Sequence, residues 1–259
     1  MSIPLSGATR LHMIVGDPIA QVKSPGGMTA AFAARGADAV LVPVQVGPAD
    51  IGAFFEVADR MKNLDGLIAT VPHKFAAFDH CRRASARASF IAAANVMRRE
   101  GDGWYGDMVD GEGFVGAMRA RGVDPRGKRA LLVGAGGAGS AIAYALMQAG
   151  VRELAIHDTD PARRDTLIAR FGGAPVMVGS ADPAGFDLVC NATPAGMRPG
   201  DALPVMTERL THGMYVGCVV TAPEVSPLIE AARTIGCVTG TGTDMYRALQ
   251  EMMVTFLLG

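Results

Sequence analysis

Three glycines, Gly134, Gly136 and Gly139, follow the apolar run Ala130–Val133 and open a stretch that reads as helix to about Gly150. Their spacing suits the binding of a pyrophosphate. The first glycine permits a tight turn out of a strand, the second lets the backbone approach the anion, and the third lets helix and strand pack closely. The helix start then points N–H groups at the ligand. Ala135, Gly137 and Ala138 complete a loop with no side chain larger than a methyl group, and they belong with the cofactor contacts. A second strand, Glu153–His157, ends in Asp158, 24 residues after Gly134, near the offset of about 20 at which an acid takes the ribose hydroxyls. Three glycines alone also describe a tight turn with no ligand. Strand, loop, helix, strand and acid in series select a dinucleotide. A carboxylate at Asp158 accepts hydrogen bonds from free ribose hydroxyls and repels a phosphate, which predicts NAD over NADP. Arg163 and Arg164 weigh the other way, although on a polar helix such residues face solvent.

The elements that must position this loop follow an alternating pattern. Leu11–Val15, Ala39–Gln45 and Leu64–Thr70 read as strands, with helices near Pro25–Arg35 and Pro48–Met61 between them, the signature of a mostly parallel sheet. A loop, Val71-Pro72-His73-Lys74, leads into more helix, and the Ala-rich patch Ile91–Ala94 reads as helix too. Asn95–Arg99 and Trp104–Gly106 pair as a hairpin across Glu100–Gly103. A second domain starts near Gly111, with a helix to Gly122 and a basic linker, Asp124–Arg129. Strands follow at Ala130, Leu154, Pro175–Val178, Phe186–Cys190, Met214–Val219 and Cys237–Thr239, and the last helix, Met245–Leu258, reads as apolar on most faces.

Composition narrows the partners. With 259 residues the chain suits two domains. Its 24 basic and 25 acidic residues leave no positive excess for a nucleic-acid backbone. Cys81, Cys190, Cys218 and Cys237 are dispersed, as are five histidines, so neither a disulfide framework nor a metal site is expected and a cytoplasmic location is. The uncharged run Ala130–Met147 has the length of a membrane span, but its glycines sit where the nucleotide turn needs them. No secretory or lipidation signal is read in Met1–Arg10.

The motifs Gly16-Asp17-Pro18-Ile19, Ser24-Pro25, Ala69-Thr70-Val71-Pro72-His73-Lys74, Ala94-Asn95 and Gly106 with Asp110-Gly111 resemble, in order and spacing, the shikimate dehydrogenase family. Gly134–Gly139, Asn191-Ala192-Thr193 with Gly196-Met197, and Pro223 with Ser226-Pro227-Leu228 extend the resemblance over nearly the whole chain. It implies an α/β fold with an N-terminal substrate domain, 1–111, completed by a C-terminal helix, 240–259, and a Rossmann domain, 112–239, with the substrate in a cleft between them. It also implies oxidation or reduction of one ring hydroxyl of a polyhydroxylated ring acid by a nicotinamide cofactor, in a monomer or homodimer. Taking a hydride from a carbinol requires removing its hydroxyl proton, and the resemblance assigns that work to Lys74 and Asp110. It places Ser24, Thr70, Asn95 and the positions Val22, Thr221 and Gln250 around the substrate, and Asn191, Thr193, Met197 and Gly240 around the cofactor.

Departures from the family pattern bear on the substrate. Where the family reads His-Ser-x-Ser-Pro, this chain reads Gln21-Val22-Lys23-Ser24-Pro25, so one hydroxyl that holds the substrate carboxylate is an isopropyl group. Lys23 either supplies a replacement charge or is an exposed loop lysine. The family's Asn-Thr before the catalytic Asp is Met108-Val109, its Tyr is Thr221, and the Gln expected four places after Met245 is Leu249, with Gln250 one place late. NADP-using members carry Asn-Arg-Thr where this chain has His157-Asp158-Thr159. The expected activity is NAD-dependent interconversion of a ring hydroxyl of a shikimate- or quinate-like acid and its ketone. Two alternatives remain: a dehydrogenase for an amino- or deoxy-substituted analogue, and a non-catalytic dinucleotide-binding module.

Overall fold

The computed structural model of the chain describes residues 5–20 and 22–259, so Gln21 and part of the N-terminal stretch read above lie outside the described residues. The chain divides into two compact units, one running through Val109 and including Gln250–Gly259, the other Asp110–Leu249.

In the first unit β1 (Arg10–Gly16), α1 (Ser24–Ala34), β2 (Ala39–Gln45), α2 (Ile51–Arg60) and β3 (Leu64–Ala69) alternate as the apolar runs require. Then come α3 (Lys74–His80), β4 (Arg83–Ala84), α4 (Ala86–Ile91), β5 (Val96–Glu100) and β6 (Gly103–Asp107). The sheet order is β2-β1-β3-β5-β6-β4. β1 pairs in parallel with β2 and β3, whereas β5 runs antiparallel to both β3 and β6. Val15, Phe55, Leu64, Leu67, Met97 and Trp104 form the core on one face, where Trp104 Nε1 donates to Asp59 at 2.7 Å. The Ala-rich patch is a correction to the helix read from sequence. α4 stops at Ile91, Ala92 takes a left-handed φ of 57°, and Ala93 and Ala94 are buried irregular chain. Composition favours helix there, but the backbone of Ala94 is held by a distant residue, Lys74.

His12, inside β1, is buried against the Phe32 ring at 4.7 Å, and its Nδ1 has no hydrogen-bond partner. Burial, the largest influence, lowers its pKa to about 4, aided by Arg10 and opposed by Asp65. The unfolded chain takes up this proton near pH 6.5 and the folded chain only near 4. The stability that neutral His12 contributes is therefore full above pH 6.5 and is lost as pH falls through that window, by up to about 3 kcal/mol. Urea midpoints at pH 7 and pH 4.5 check this: the native chain loses stability between them, and His12→Leu flattens the difference.

The second unit contains α5 (Asp110–Ala120), β7 (Arg129–Val133), α6 (Gly137–Gln148), β8 (Glu153–His157), α7 (Pro161–Arg170), β9 (Val176–Val178), β10 (Leu188–Asn191), β11 (Tyr215–Cys218), α8 (Pro227–Ile235), β12 (Val238–Gly240) and α9 (Gly242–Leu258). Its sheet is parallel throughout, in the order β12-β11-β10-β7-β8-β9. Counted from β7, that is the 3-2-1-4-5-6 order of the Rossmann fold, whose switch point lies between β7 and β10. The run that imitated a membrane span is β7, a turn and the 12-residue α6. Among the described residues no helix is long and apolar enough to cross a membrane.

The unit boundary falls inside α9, between Leu249 and Gln250. This helix is more amphipathic than its sequence suggests: Met245, Leu249, Met253 and Leu257 are buried, whereas Arg247, Glu251 and Thr255 face solvent. In the second unit Asp244 pairs with Arg121 at 2.9 Å. In the first, Gln250 bonds to Gly27 in α1, Glu251 pairs with Arg35 just after that helix, and Arg98 lies over Phe256.

Candidate active site

Residues 94 and 95 form a hub in the first unit. Lys74 opens α3 and is half-buried, and its carbonyl accepts the Ala94 N–H at 2.9 Å. Next in the chain, Asn95 is 1 % exposed. Its N–H donates to the Asp107 carbonyl at 2.9 Å, its carbonyl accepts the Ala69 N–H at 2.9 Å, and its side-chain Oδ1 accepts the Val109 N–H at 3.0 Å. The peptide that carries Lys74 and the segment that runs into Asp110 are thus registered against two consecutive residues. Thr70, just past β3, donates its N–H to Val15 and accepts the His73 N–H, and His73 Nε2 meets the Val46 carbonyl at 2.7 Å. These bonds fix the turn that leads to Lys74.

Ser24 is the first residue of α1, with Lys23, exposed, at the N-cap and no side-chain cap. The Ser24 hydroxyl is one of three buried side-chain polar atoms without a partner among the described residues; the others belong to His12 and Tyr246. Such an orphan costs stability unless a ligand satisfies it. Val22 is half-buried just ahead of this helix. Gln250 sends Nε2 to the Gly27 carbonyl at 3.0 Å, so this side chain braces the first turn of α1. Met108 and Val109 are 1 % and 2 % exposed and pack into the interior.

Asp107 escaped the sequence reading. Its carboxylate receives Arg87 Nε at 2.7 Å and Nη2 at 2.6 Å, the Ser85 hydroxyl, and the Met108 N–H at 2.7 Å. Burial pushes the Asp107 carboxyl up, but the bonds from Arg87, Ser85 and Met108, with the Arg87 charge, outweigh it and hold the group below the ordinary aspartate value. No sequence signal marks it, because its side-chain partners, Ser85 and Arg87, lie about 20 residues upstream and are brought to it by the pairing of β4 with β6.

In the second unit Asp110 opens α5 and is 6 % exposed. The glycine loop leaves the end of β7 at the switch point. Gly134 has φ +102°, and its N–H donates to the His157 carbonyl at 2.8 Å. A side chain at Gly134 would press on Ala192 and Thr193 beyond β10, and one at Gly139 would collide with the Gly134 carbonyl. Nothing lies within 4 Å of where a Cβ on Gly136 would stand, so the loop backbone is open to a close ligand. A dinucleotide pyrophosphate fits this cradle, whose floor is Gly134–Gly139 and the start of α6. Asn191 is fully buried and its side chain is committed to protein partners: Oδ1 accepts from the Thr193 N–H and hydroxyl of its own loop, and Nδ2 donates to Cys218 Sγ at the end of β11. Gly196, with φ +93°, turns the chain so that Met197 is exposed. Gly240 closes β12 beneath the Tyr215 hydroxyl, where a Cβ would clash. Thr221 is exposed on the loop after β11.

A family model described as the shikimate dehydrogenase substrate binding domain matches residues 14–97. The chain is 38 % identical over 255 residues to shikimate dehydrogenase (NADP(+)) of Rubrobacter xylanophilus, covering 95 % of this chain and 89 % of the relative. Among solved structures it resembles shikimate 5-dehydrogenase of Listeria monocytogenes in complex with shikimate and NAD, with a TM-score of 0.91, 25 % identity and coverage of 100 % and 94 % of the two chains. It also resembles quinate dehydrogenase of Corynebacterium glutamicum in complex with NAD, with a TM-score of 0.87, 28 % identity and coverage of 96 % and 93 %. A Rossmann sheet with an open glycine cradle, in a chain so related, defines an NAD(P)-dependent dehydrogenase acting on CH–OH groups. The chain belongs to the shikimate dehydrogenase family.

These relatives correct the NAD preference read from Asp158. Five of them, 32 to 38 % identical, are named for NADP(+). Asp158 is buried, with Oδ2 accepting the Ala135 N–H at 2.7 Å and Oδ1 the Asp160 N–H at 2.8 Å, so both carboxylate oxygens brace the backbone. Arg163 stands 3.9 Å from it with its side chain 55 % exposed, which offsets the carboxylate's repulsion of a phosphate.

Proposed function

We propose that the chain interconverts a ring hydroxyl of a shikimate- or quinate-like acid and the corresponding ketone, with NADP as the cofactor that its relatives' names favour. Lys74 and Asp110 manage the hydroxyl proton: the Lys74 ammonium donates to the carbinol oxygen and stabilises its developing charge, while the Asp110 carboxylate orients the hydroxyl, accepts its proton in oxidation and returns it in reduction. The bound dinucleotide supplies the hydride acceptor or donor. Asn95, its Oδ1 fixed by Val109, holds the carboxamide in one orientation toward substrate, and Thr70 and Ser24 contribute hydroxyls. In this reading the first unit binds substrate and the second binds cofactor. The observation that carries it is the hub at Ala94 and Asn95, which registers the Lys74 peptide and the approach to Asp110 against each other. Steady-state oxidation of shikimate, quinate and their amino and deoxy analogues with NADP tests it. Turnover of at least one ring acid supports the proposal, and none across the panel refutes it.

Val22 favours a second reading, in which the substrate is an amino- or deoxy-substituted analogue. An isopropyl group cannot donate the hydrogen bond that a serine gives a carboxylate, a loss of about 1.5 to 3 kcal/mol, or one to two decades in kcat/KM. Val22→Ser is expected to raise kcat/KM for shikimate by that factor. Efficient shikimate oxidation by the unmodified chain, with no gain from the serine, contradicts this reading of position 22.

A further inference from the structure

We propose that Asp107, clamped by Arg87, is the positioning residue that fixes the direction in which the chain enters Asp110; the proposal rests on the reading of Asp110 as a catalytic residue. β6 ends at Asp107 and α5 begins at Asp110, so two residues alone, Met108 and Val109, lie between them. All three positions from 107 to 109 are tied down. The Asp107 carboxylate takes both arms of the Arg87 fork, the Ser85 hydroxyl and the Met108 N–H, while the Val109 N–H goes to Asn95. Main-chain bonds continue the pattern, with the Ser85 N–H on the Gly106 carbonyl and the Asn95 N–H on the Asp107 carbonyl, each 2.9 Å long.

The character of the pair argues for direction over stability. The Asp107 side chain is 8 % exposed and that of Arg87 31 %. Withdrawing two charges from water costs much of what their attraction returns, and an apolar pair of the same volume commonly holds two elements together as well. A bidentate fork adds geometric definition: it fixes the carboxylate plane, and through Oδ1 the peptide of Met108. An acid/base group needs such definition, because a displacement of about 1 Å at the reacting atoms costs on the order of a hundredfold in rate. The pair Arg10–Asp65 serves as the contrast. It joins β1 to β3, both side chains are more than a third exposed, and neither lies next to a proposed active-site residue.

The test uses the full chain with shikimate and NADP, comparing Asp107→Asn, Arg87→Met, Arg87→Lys and, as control, Asp65→Asn, each assayed below its own unfolding transition. Asp107→Asn retains an acceptor for Ser85 and Met108 and so preserves the fold while breaking the fork. The expected result is a fall in kcat of about ten- to a hundredfold for Asp107→Asn and Arg87→Met, with shikimate KM and NADP affinity within about threefold of normal. Arg87→Lys recovers part of the loss and Asp65→Asn leaves kcat unchanged. Hydrogen exchange adds a readout that needs no substrate: amides of 107–111 exchange faster in Asp107→Asn and at the normal rate in Asp65→Asn. Near-normal kcat in Asp107→Asn and Arg87→Met, or unchanged protection at 107–111, overturns the positioning role while leaving Asp110 in place. A native chain that oxidises shikimate, but does so undiminished after Asp110→Ala, removes the reading of Asp110 itself and this role with it.

Discussion

Lys74→Ala and Asp110→Ala each lower kcat by about two to four decades, the usual contribution of a positioned acid/base group, and the double variant loses little more than the worse single one. Non-additivity is the informative part. Two groups that serve the same hydroxyl proton fail together once either is gone, whereas two independent contributions multiply. NADP affinity stays within a few-fold, because neither residue belongs to the glycine cradle. The check is steady-state kinetics on the ring acid that the native chain turns over best, with cofactor titration of the same proteins. Either single variant turning over near normally contradicts the assignment.

Gly136→Ala and Gly139→Ala both weaken NADP binding, by about one to two decades, for different physical reasons. At Gly139 a methyl group collides with the Gly134 carbonyl, so helix α6 must shift against its own turn. Overpacking of that kind costs about 1 to 3 kcal/mol, and the unfolding temperature falls along with affinity. At Gly136 the methyl group meets no protein atom within 4 Å. If the cradle holds the dinucleotide as proposed, the methyl group obstructs the pyrophosphate, so affinity falls while the unfolding temperature is unchanged. Calorimetric titration beside thermal unfolding separates the two. Normal NADP affinity in Gly136→Ala would show that the cradle is not the dinucleotide site.

What the sequence revealed about this fold was whatever local periodicity or turn chemistry decides. Every strand of the second sheet and all of the first except the two-residue β4, together with the hairpin of β5 and β6 and the glycine loop, were legible because alternating apolar runs and obligatory glycines leave few alternatives. Long-range contacts explain the rest. Ala93 and Ala94 look helical, yet the Lys74 carbonyl captures the Ala94 N–H and keeps the segment irregular. Asp107 looks like a surface acid until the pairing of β4 with β6 brings Arg87 onto it. At Asp158 the position of an acid was readable but its orientation was not: the carboxylate turns to the Ala135 and Asp160 amides, so a rule based on residue type misjudged the cofactor. The lost polar groups at Met108 and Val109 are similar, since burial takes both side chains into the interior.

Hydride transfer from a ring carbinol is the central claim, and isotopic labelling tests it most directly. Shikimate carrying deuterium on the carbon that bears the reacting hydroxyl is incubated with the native chain and NADP, and the reduced nicotinamide is recovered. Deuterium bound to the nicotinamide ring, appearing about a hundredfold or more slowly when the protein carries Lys74→Ala and Asp110→Ala together, is the predicted result. Reduced cofactor without deuterium, or label transfer undiminished in the double variant, contradicts the account.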